Sequence, residues 1–184
     1  VGGFAGKVME RMGVVPQNIP AGEIYQSLEK GTLDAAEWIG PYDDQKLGLN
    51  KVAPYYYYPA WWEGGPQLEF FVNSKAWDAL SPENKSILET AAAYAHQEVQ
   101  AKYDVKNPTA LKQLVGAKTK VLPFSKDIMD RAYKESMQLY SELSAKNPNW
   151  KKVYEDFAAF RKEQNQWFRF TEARFDNFMQ AQKM

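Results

Sequence analysis

Thr32-Leu33-Asp34-Ala35-Ala36-Glu37-Trp38, followed by Ile39-Gly40-Pro41-Tyr42-Asp43-Asp44, is the stretch on which the fold turns. Its first five residues are short, largely apolar and followed by a break, which fits a small buried strand better than a helix. Upstream, Val1-Gly2-Gly3-Phe4-Ala5-Gly6 reads as the end of a strand entering a glycine-rich turn before a helix from Lys7 to Met12. Val14-Val15-Pro16 resumes an extended path. Pro20-Ala21-Gly22-Glu23 then opens a helix with Ile24, Leu28 and Tyr25 on one face, ending at Gly31. This strand-helix-strand-helix-strand rhythm, with linkers of a few residues, predicts an α/β unit with parallel strands. Ligands of such sheets bind beyond the carboxyl ends of the strands, where Glu37 and Trp38 fall.

Composition narrows what the chain can do. Its 184 residues suffice for one ordinary core or for parts of two. Twenty-three basic residues balance 23 acidic ones, so no net field draws it to nucleic acid or anionic lipid. Lysines and arginines are interspersed with acids, as in Lys151-Lys152-Val153-Tyr154-Glu155-Asp156, and form no basic patch. No apolar run approaches the roughly 20 residues of a membrane span. The absence of cysteine rules out disulfides and thiolate metal sites. The chain begins without an initiator methionine or a signal peptide, and the expectation is a C-terminal part of a longer protein.

Tyr55 to Tyr58 and Gln67 to Asn73 are the strongest β segments, separated by the turn-forming Glu63-Gly64-Gly65-Pro66. Leu68, Phe70 and Val72 alternate with Glu69 and Phe71, so at least one face is expected to be buried. Helical territory begins at Ser74. Ser81-Pro82-Glu83 is a helix start, serine as cap and proline at the first helical position, with Ile87, Leu88, Ala91, Ala95, Val99 and Tyr103 as its apolar stripe. Lys120 to Phe124 is a short extended segment, Ser125-Lys126-Asp127 caps another helix reaching about Ala145, and Asn147-Pro148 starts the last one. A continuous helix from there to the end would be on the order of 50 Å long. Two readings stand for it: a kinked helix laid across the back of the domains, or an arm packed on a second subunit.

Several conspicuous residues have plain structural readings. Asp43 and Asp44 favour a helix N-terminus over a metal pair. Trp61 and Trp62 would face opposite ways in a strand, so at most one lines a cleft, and most of the four tyrosines read as packing residues. His96 reads as a surface or packing residue. The Gly2-Gly3 and Gly6 pattern is not followed by the Lys-Ser or Lys-Thr of a phosphate loop.

Taken together, Gly3-Phe4-Ala5-Gly6, Pro20-Ala21-Gly22-Glu23-Ile24-Tyr25, Gly31 to Trp38, Gly40-Pro41-Tyr42-Asp43-Asp44 and Tyr55 to Pro66 resemble the C-terminal half of a solute-binding receptor of TRAP transporters, the DctP family. The resemblance is to the branch that binds 2-oxo and 2-hydroxy monocarboxylates. It implies an α/β, periplasmic-binding-protein-like two-lobed fold with long C-terminal helices. Residues 1–40 would belong to the second α/β lobe, 41–124 would span both lobes, and 125–184 would pack across the lobes or form a dimer arm. The resemblance further implies a periplasmic, non-catalytic receptor delivering pyruvate, lactate or a longer 2-oxo acid to membrane permease subunits, with a homodimer through the C-terminal helix. Glu37, Trp38 through its backbone carbonyl, and Glu63 would hold a metal cation, and Glu37, Trp38, Phe4 and Asp34 would meet the substrate. The family's carboxylate-pairing arginine has no counterpart in this chain.

Electrostatics points the same way. Two ionised glutamates joined by an anionic ligand in a partly dry cleft repel strongly unless a cation lies between them. All-oxygen donors favour a hard ion, Na⁺ or Ca²⁺, over zinc. The plainer alternative is that Glu37 and Glu63 never meet and each is solvated or salt-bridged. A second function class is a metal-dependent hydrolase or lyase on a small organic acid, with Glu37 or Glu63 as general base. One histidine and no cysteine weigh against it.

Overall fold

The computed structural model describes residues 1–62, 64–65 and 68–182. The chain divides into two compact units, Val1–Asp130 and Arg131–Met184. In the first, helix α1 spans Gly3–Arg11 and buries Val8 and Gly6. It starts earlier than the sequence suggests, and residues 1–2 form no strand. A 3-10 turn at Ala21–Glu23 leads into α2, Ile24–Glu29, whose buried residue is Ile24. Both α1 and α2 end in the same device. Gly13, at φ 91°, and Gly31, at φ 70°, take the left-handed position after the last turn. Gly31 donates to the Leu28 carbonyl at 3.1 Å and Thr32 to that of Ser27 at 2.9 Å, closing the orphan carbonyls of α2 and reversing the chain into the segment that carries Glu37.

That segment departs from expectation. Residues 32–36 form no strand, and all but Leu33 are exposed. A strand needs a hydrogen-bonded neighbour, and none of the described residues supplies one here. The same reason accounts for Leu68 to Asn73, which run without a ladder: Leu68, Phe70 and Phe71 are 75%, 77% and 92% exposed.

Helix α3, Pro41–Lys46, begins with proline in its first turn. The chain then reaches β1, Tyr55–Tyr58. Asn73 caps the short α4, Ser74–Asp78, and Ser81 caps α5, Pro82–Gly116, by accepting from the Asn84 amide at 3.2 Å. Helix α5 buries Ala110 and Leu114 in its last turns, and α3 packs against α5. The stripe predicted for its first half is open: Ile87, Leu88 and Val99 are exposed, because no described element covers them. Strand β2, Lys120–Pro123, pairs in parallel with β1, Tyr55 opposite Lys120 and Tyr58 opposite Pro123. The connection between them carries α4 and α5, the long crossover that a parallel pair needs. Tyr55, Tyr57 and Tyr58 are about half exposed and Tyr56 is the more buried of the four, while Tyr57 stacks on Phe124 with centroids 5.3 Å apart. Trp61 and Trp62 lie beyond the strand, so they do not alternate. Their rings meet edge-on at 5.3 Å, and Trp62 also meets Phe124.

Helix α6, Lys126–Lys146, runs into the second unit, which it shares with α7, Pro148–Phe170, and α8, Glu172–Gln180. Asn147 caps α7 through the Trp150 amide at 3.1 Å. Tyr140 of α6 packs on Trp150 and Tyr154 of α7, with centroids 6.0 and 5.2 Å away. The long terminal helix is kinked: the ladder breaks at Thr171 (φ −95°, ψ −95°).

Candidate functional site

The loop between Gly31 and α3 carries Glu37 and Trp38, both half-buried, with exposed Asp34 before them. What fixes this loop is Asp44. Its carboxylate Oδ1 accepts the amides of Ile39 at 3.2 Å and Gly40 at 3.3 Å, and its Oδ2 accepts the hydroxyl of Tyr56 at 2.6 Å. An acid in the first turn reaching back to the amides just before its own helix acts as the reciprocal half of a capping box does, here from one position further along. The Asp43-Asp44 pair therefore serves the helix start, as the sequence suggests, with a further reach to β1. Asp44 is 7% exposed. Burial raises its carboxyl above the usual range, against the opposing pull of Tyr56 and the two amides. Burial, and then the hydrogen bond to Asp44, raise the Tyr56 phenol.

Its neighbour Asp43 faces the other way and accepts the Tyr103 hydroxyl of α5 at 2.6 Å. That bond pushes the Tyr103 phenol up to about 12. The Tyr42 amide donates to Asn107 Oδ1 at 3.1 Å, and Lys106 Nζ donates to the Tyr42 hydroxyl at 3.1 Å. Lys46 lies 4.1 Å from the centroid of the same ring. Lys46 and then Lys106 hold the Tyr42 phenol below its ordinary value. Residues Tyr42 to Asp44 thus tie the loop to α5 on one side and to β1 on the other. The sequence marks neither Asn107 nor Lys106, and it presents Tyr56 only as one of four tyrosines that mostly read as packing residues. The one local signal was the Gly40-Pro41 start with an acid four residues after the glycine.

The remaining predicted residues are more scattered. Phe4 lies on α1, 41% exposed, with the Lys7 ammonium 5.8 Å from its ring. Glu63, predicted as a cation ligand, lies outside the described residues. Among the described residues, no three His, Cys, Asp or Glu side chains form a metal-holding group. The donors present at the loop, the Glu37 carboxylate and the Trp38 carbonyl, are both oxygen and suit a hard cation such as Na⁺ or Ca²⁺. His96 is exposed on α5.

The family model of DctP, bacterial extracellular solute-binding protein, family 7, matches residues 2–147. A monocarboxylate 2-oxoacid-binding periplasmic protein of Nostoc sp. is 47% identical over 176 residues, 96% of this chain and 48% of that protein. A crystal structure of a TRAP transporter solute-binding protein from Bordetella bronchiseptica RB50, a mixed-occupancy dimer with copurified calcium and picolinate in its bound site, superposes with a TM-score of 0.91. It is 48% identical, and the match covers 98% of this chain and 54% of that one. A TRAP periplasmic solute-binding protein from Pseudoalteromonas atlantica T6c, with bound sodium and pyruvate, superposes at 0.90 with 31% identity, covering 100% of this chain and 55% of that one. The chain spans about half the length of these relatives.

Proposed function

The chain belongs to the DctP family, the family-7 bacterial extracellular solute-binding proteins, and on that premise we propose that it serves a periplasmic receptor that binds a small 2-oxo or 2-hydroxy carboxylate together with Na⁺ or Ca²⁺. Its fold is that of TRAP periplasmic binding proteins, a family of transporter receptors and not of enzymes, so the site binds and releases without changing its ligand. Among the described residues no helix is long and apolar enough to cross a membrane, and the receptor hands its ligand to the membrane subunits of a TRAP transporter.

The observation that carries this reading is the loop at Glu37 and Trp38, half-buried and held by Asp44. In it the Glu37 carboxylate and the Trp38 carbonyl hold the cation, Glu63 adds a second carboxylate, and Phe4 and Asp34 meet the organic acid with Glu37 and Trp38. The cation, when bound, supplies the positive charge that lets an anionic ligand approach these acids. Residues 1–40 belong to the second α/β lobe, 41–124 span both lobes, and 125–184 form the terminal helices. These helices leave Trp167, Phe168, Phe175 and Phe178 exposed, apolar surface that a homodimer would cover.

Calorimetric titration of pyruvate into the full-length protein, with and without calcium, tests the reading. The expected result is micromolar or tighter binding that needs the cation, is abolished by Glu37→Gln, and returns pyruvate unchanged. Cation-independent binding, or turnover of the pyruvate, would overturn it.

A further inference from the structure

The Asp44 carboxylate bonds the one amide that shares a peptide plane with the proposed cation ligand. The Ile39 N–H and the Trp38 C=O belong to a single peptide unit, and that unit is trans, since Tyr58-Pro59 is the cis bond among the described residues. A trans peptide is planar, with its N–H and C=O pointing in opposite directions. Whatever fixes the N–H therefore fixes the carbonyl. Asp44 Oδ1 accepts that N–H at 3.2 Å and the next one, from Gly40, at 3.3 Å, so two successive peptide planes are held by one oxygen. The carboxylate cannot swing away, because its other oxygen accepts the Tyr56 hydroxyl at 2.6 Å and the side chain is buried.

We infer that Asp44 is a positioning residue for the cation site. It acts through the Trp38–Ile39 peptide, aiming the Trp38 carbonyl away from itself and enriching its oxygen in electron density. A buried charge accepting from the amide end of a peptide polarises the whole unit, and the carbonyl becomes a better ligand for a hard cation. Tyr56 supports this role one step further out by holding the carboxylate in place, which makes β1 part of the cation site without touching the cation. The inference rests on the reading of Trp38 as a cation ligand.

A simple helix cap would also explain the Gly40 bond, so the test must watch the peptide itself. Trp38–Ile39 is the one place in these 184 residues where isoleucine follows tryptophan. In full-length protein labelled with carbonyl-¹³C tryptophan and ¹⁵N isoleucine, the correlated amide signal lost in Trp38→Phe reports this peptide. Calcium chloride titrated into the wild type should move the Trp38 carbonyl resonance. In Asp44→Asn the Ile39 amide proton should lie upfield before calcium is added, and the calcium midpoint should rise about 10- to 100-fold, the range for outer partners of metal ligands. Tyr56→Phe, which keeps the charge, should raise the midpoint by less and in the same direction. It stands as the second variant should Asp44→Asn fail to fold. If calcium moves the carbonyl with the same midpoint in wild type and variants, the positioning role is overturned and the cation site survives. If calcium leaves the wild-type Trp38 signal in place, the cation site itself is overturned, and the positioning role with it.

Discussion

Asp44 and Tyr56, twelve residues apart, share a 2.6 Å hydrogen bond that joins the start of α3 to β1. Asp44 is buried and Tyr56 half-buried, so the bond is shielded from competition by water. Tyr56→Phe removes the donor and leaves the carboxylate one partner short. Hydrogen bonds to charged acceptors contribute about 1.5–3 kcal/mol, and a loss of that size is expected in urea unfolding. An unchanged midpoint would mean that water replaces the phenol without cost.

The same carboxylate imposes a pH dependence whose sign follows from its environment. Burial raises the folded-state value of Asp44 above that of the unfolded chain, so the native state takes up a proton first as pH falls. Its contribution to stability is fully present below the unfolded value of about 3.9 and is lost as pH rises through the folded one. The stability of wild type relative to Asp44→Asn should therefore fall as pH rises through that window. Unfolding midpoints for both proteins, taken from pH 3 upward at about half-unit steps, measure this. A difference that stays flat or rises would contradict it.

Alkaline titration separates Tyr103 from the other phenols. Its bond to Asp43 pushes it up to about 12, so its contribution is fully present below the unfolded value of about 10 and is lost as pH rises through the folded one. The difference in phenolate absorbance between wild type and Tyr103→Phe should show a step near the upper end of that interval. Asp43→Asn should bring the step down toward the ordinary tyrosine range. A step already near 10 in the wild type would show that the bond does not persist in solution.

Which of these features could be read from the sequence depended on how far apart the partners lie. The caps at Ser81 and Asn147 were legible because each acts on an amide three residues away. Gly31 was legible as a helix stop for the same local reason. The parallel pairing of Tyr55–Tyr58 with Lys120–Pro123 was legible as two strands, but not as neighbours, because the crossover between them is 61 residues long. Leu68 to Val72 has the alternation of a strand and forms none, since alternation describes a half-buried surface and says nothing of whether a partner strand is there to pair with. At the site, Glu37 and Trp38 stood out by residue type and setting. The groups that hold them did not: Tyr56 reads as one of four packing tyrosines and Tyr103 as part of an apolar stripe, and Asn107 carries no mark until the fold brings it to α3.

Backbone conformation gives a prediction independent of the site. Gly31 has φ 70°, and a Cβ there would meet no atom within 4 Å. Any cost of Gly31→Ala thus comes from the left-handed backbone alone, about 1–2 kcal/mol for an L residue. Gly22 also has open space, but without positive φ, and Gly22→Ala should cost less than Gly31→Ala by about that amount. Equal urea midpoints for the two variants would show that the chain leaves α2 by another path in solution.

The terminal helix offers the last test. Phe175 and Phe178 are three residues apart in α8, so they project from one face, and they are 64% and 61% exposed. Burying two phenylalanine side chains against a second copy would contribute about 1.5–3 kcal/mol each, enough to move a dimer constant by several powers of ten. Phe175→Glu with Phe178→Glu replaces that gain with charges facing their own images across a two-fold axis. Sedimentation of the full-length protein should show the wild type as a dimer and the double variant as a monomer, with the calcium-dependent binding of pyruvate retained in both. A double variant that remains dimeric would remove this face from the interface, and a monomeric wild type would remove the interface altogether.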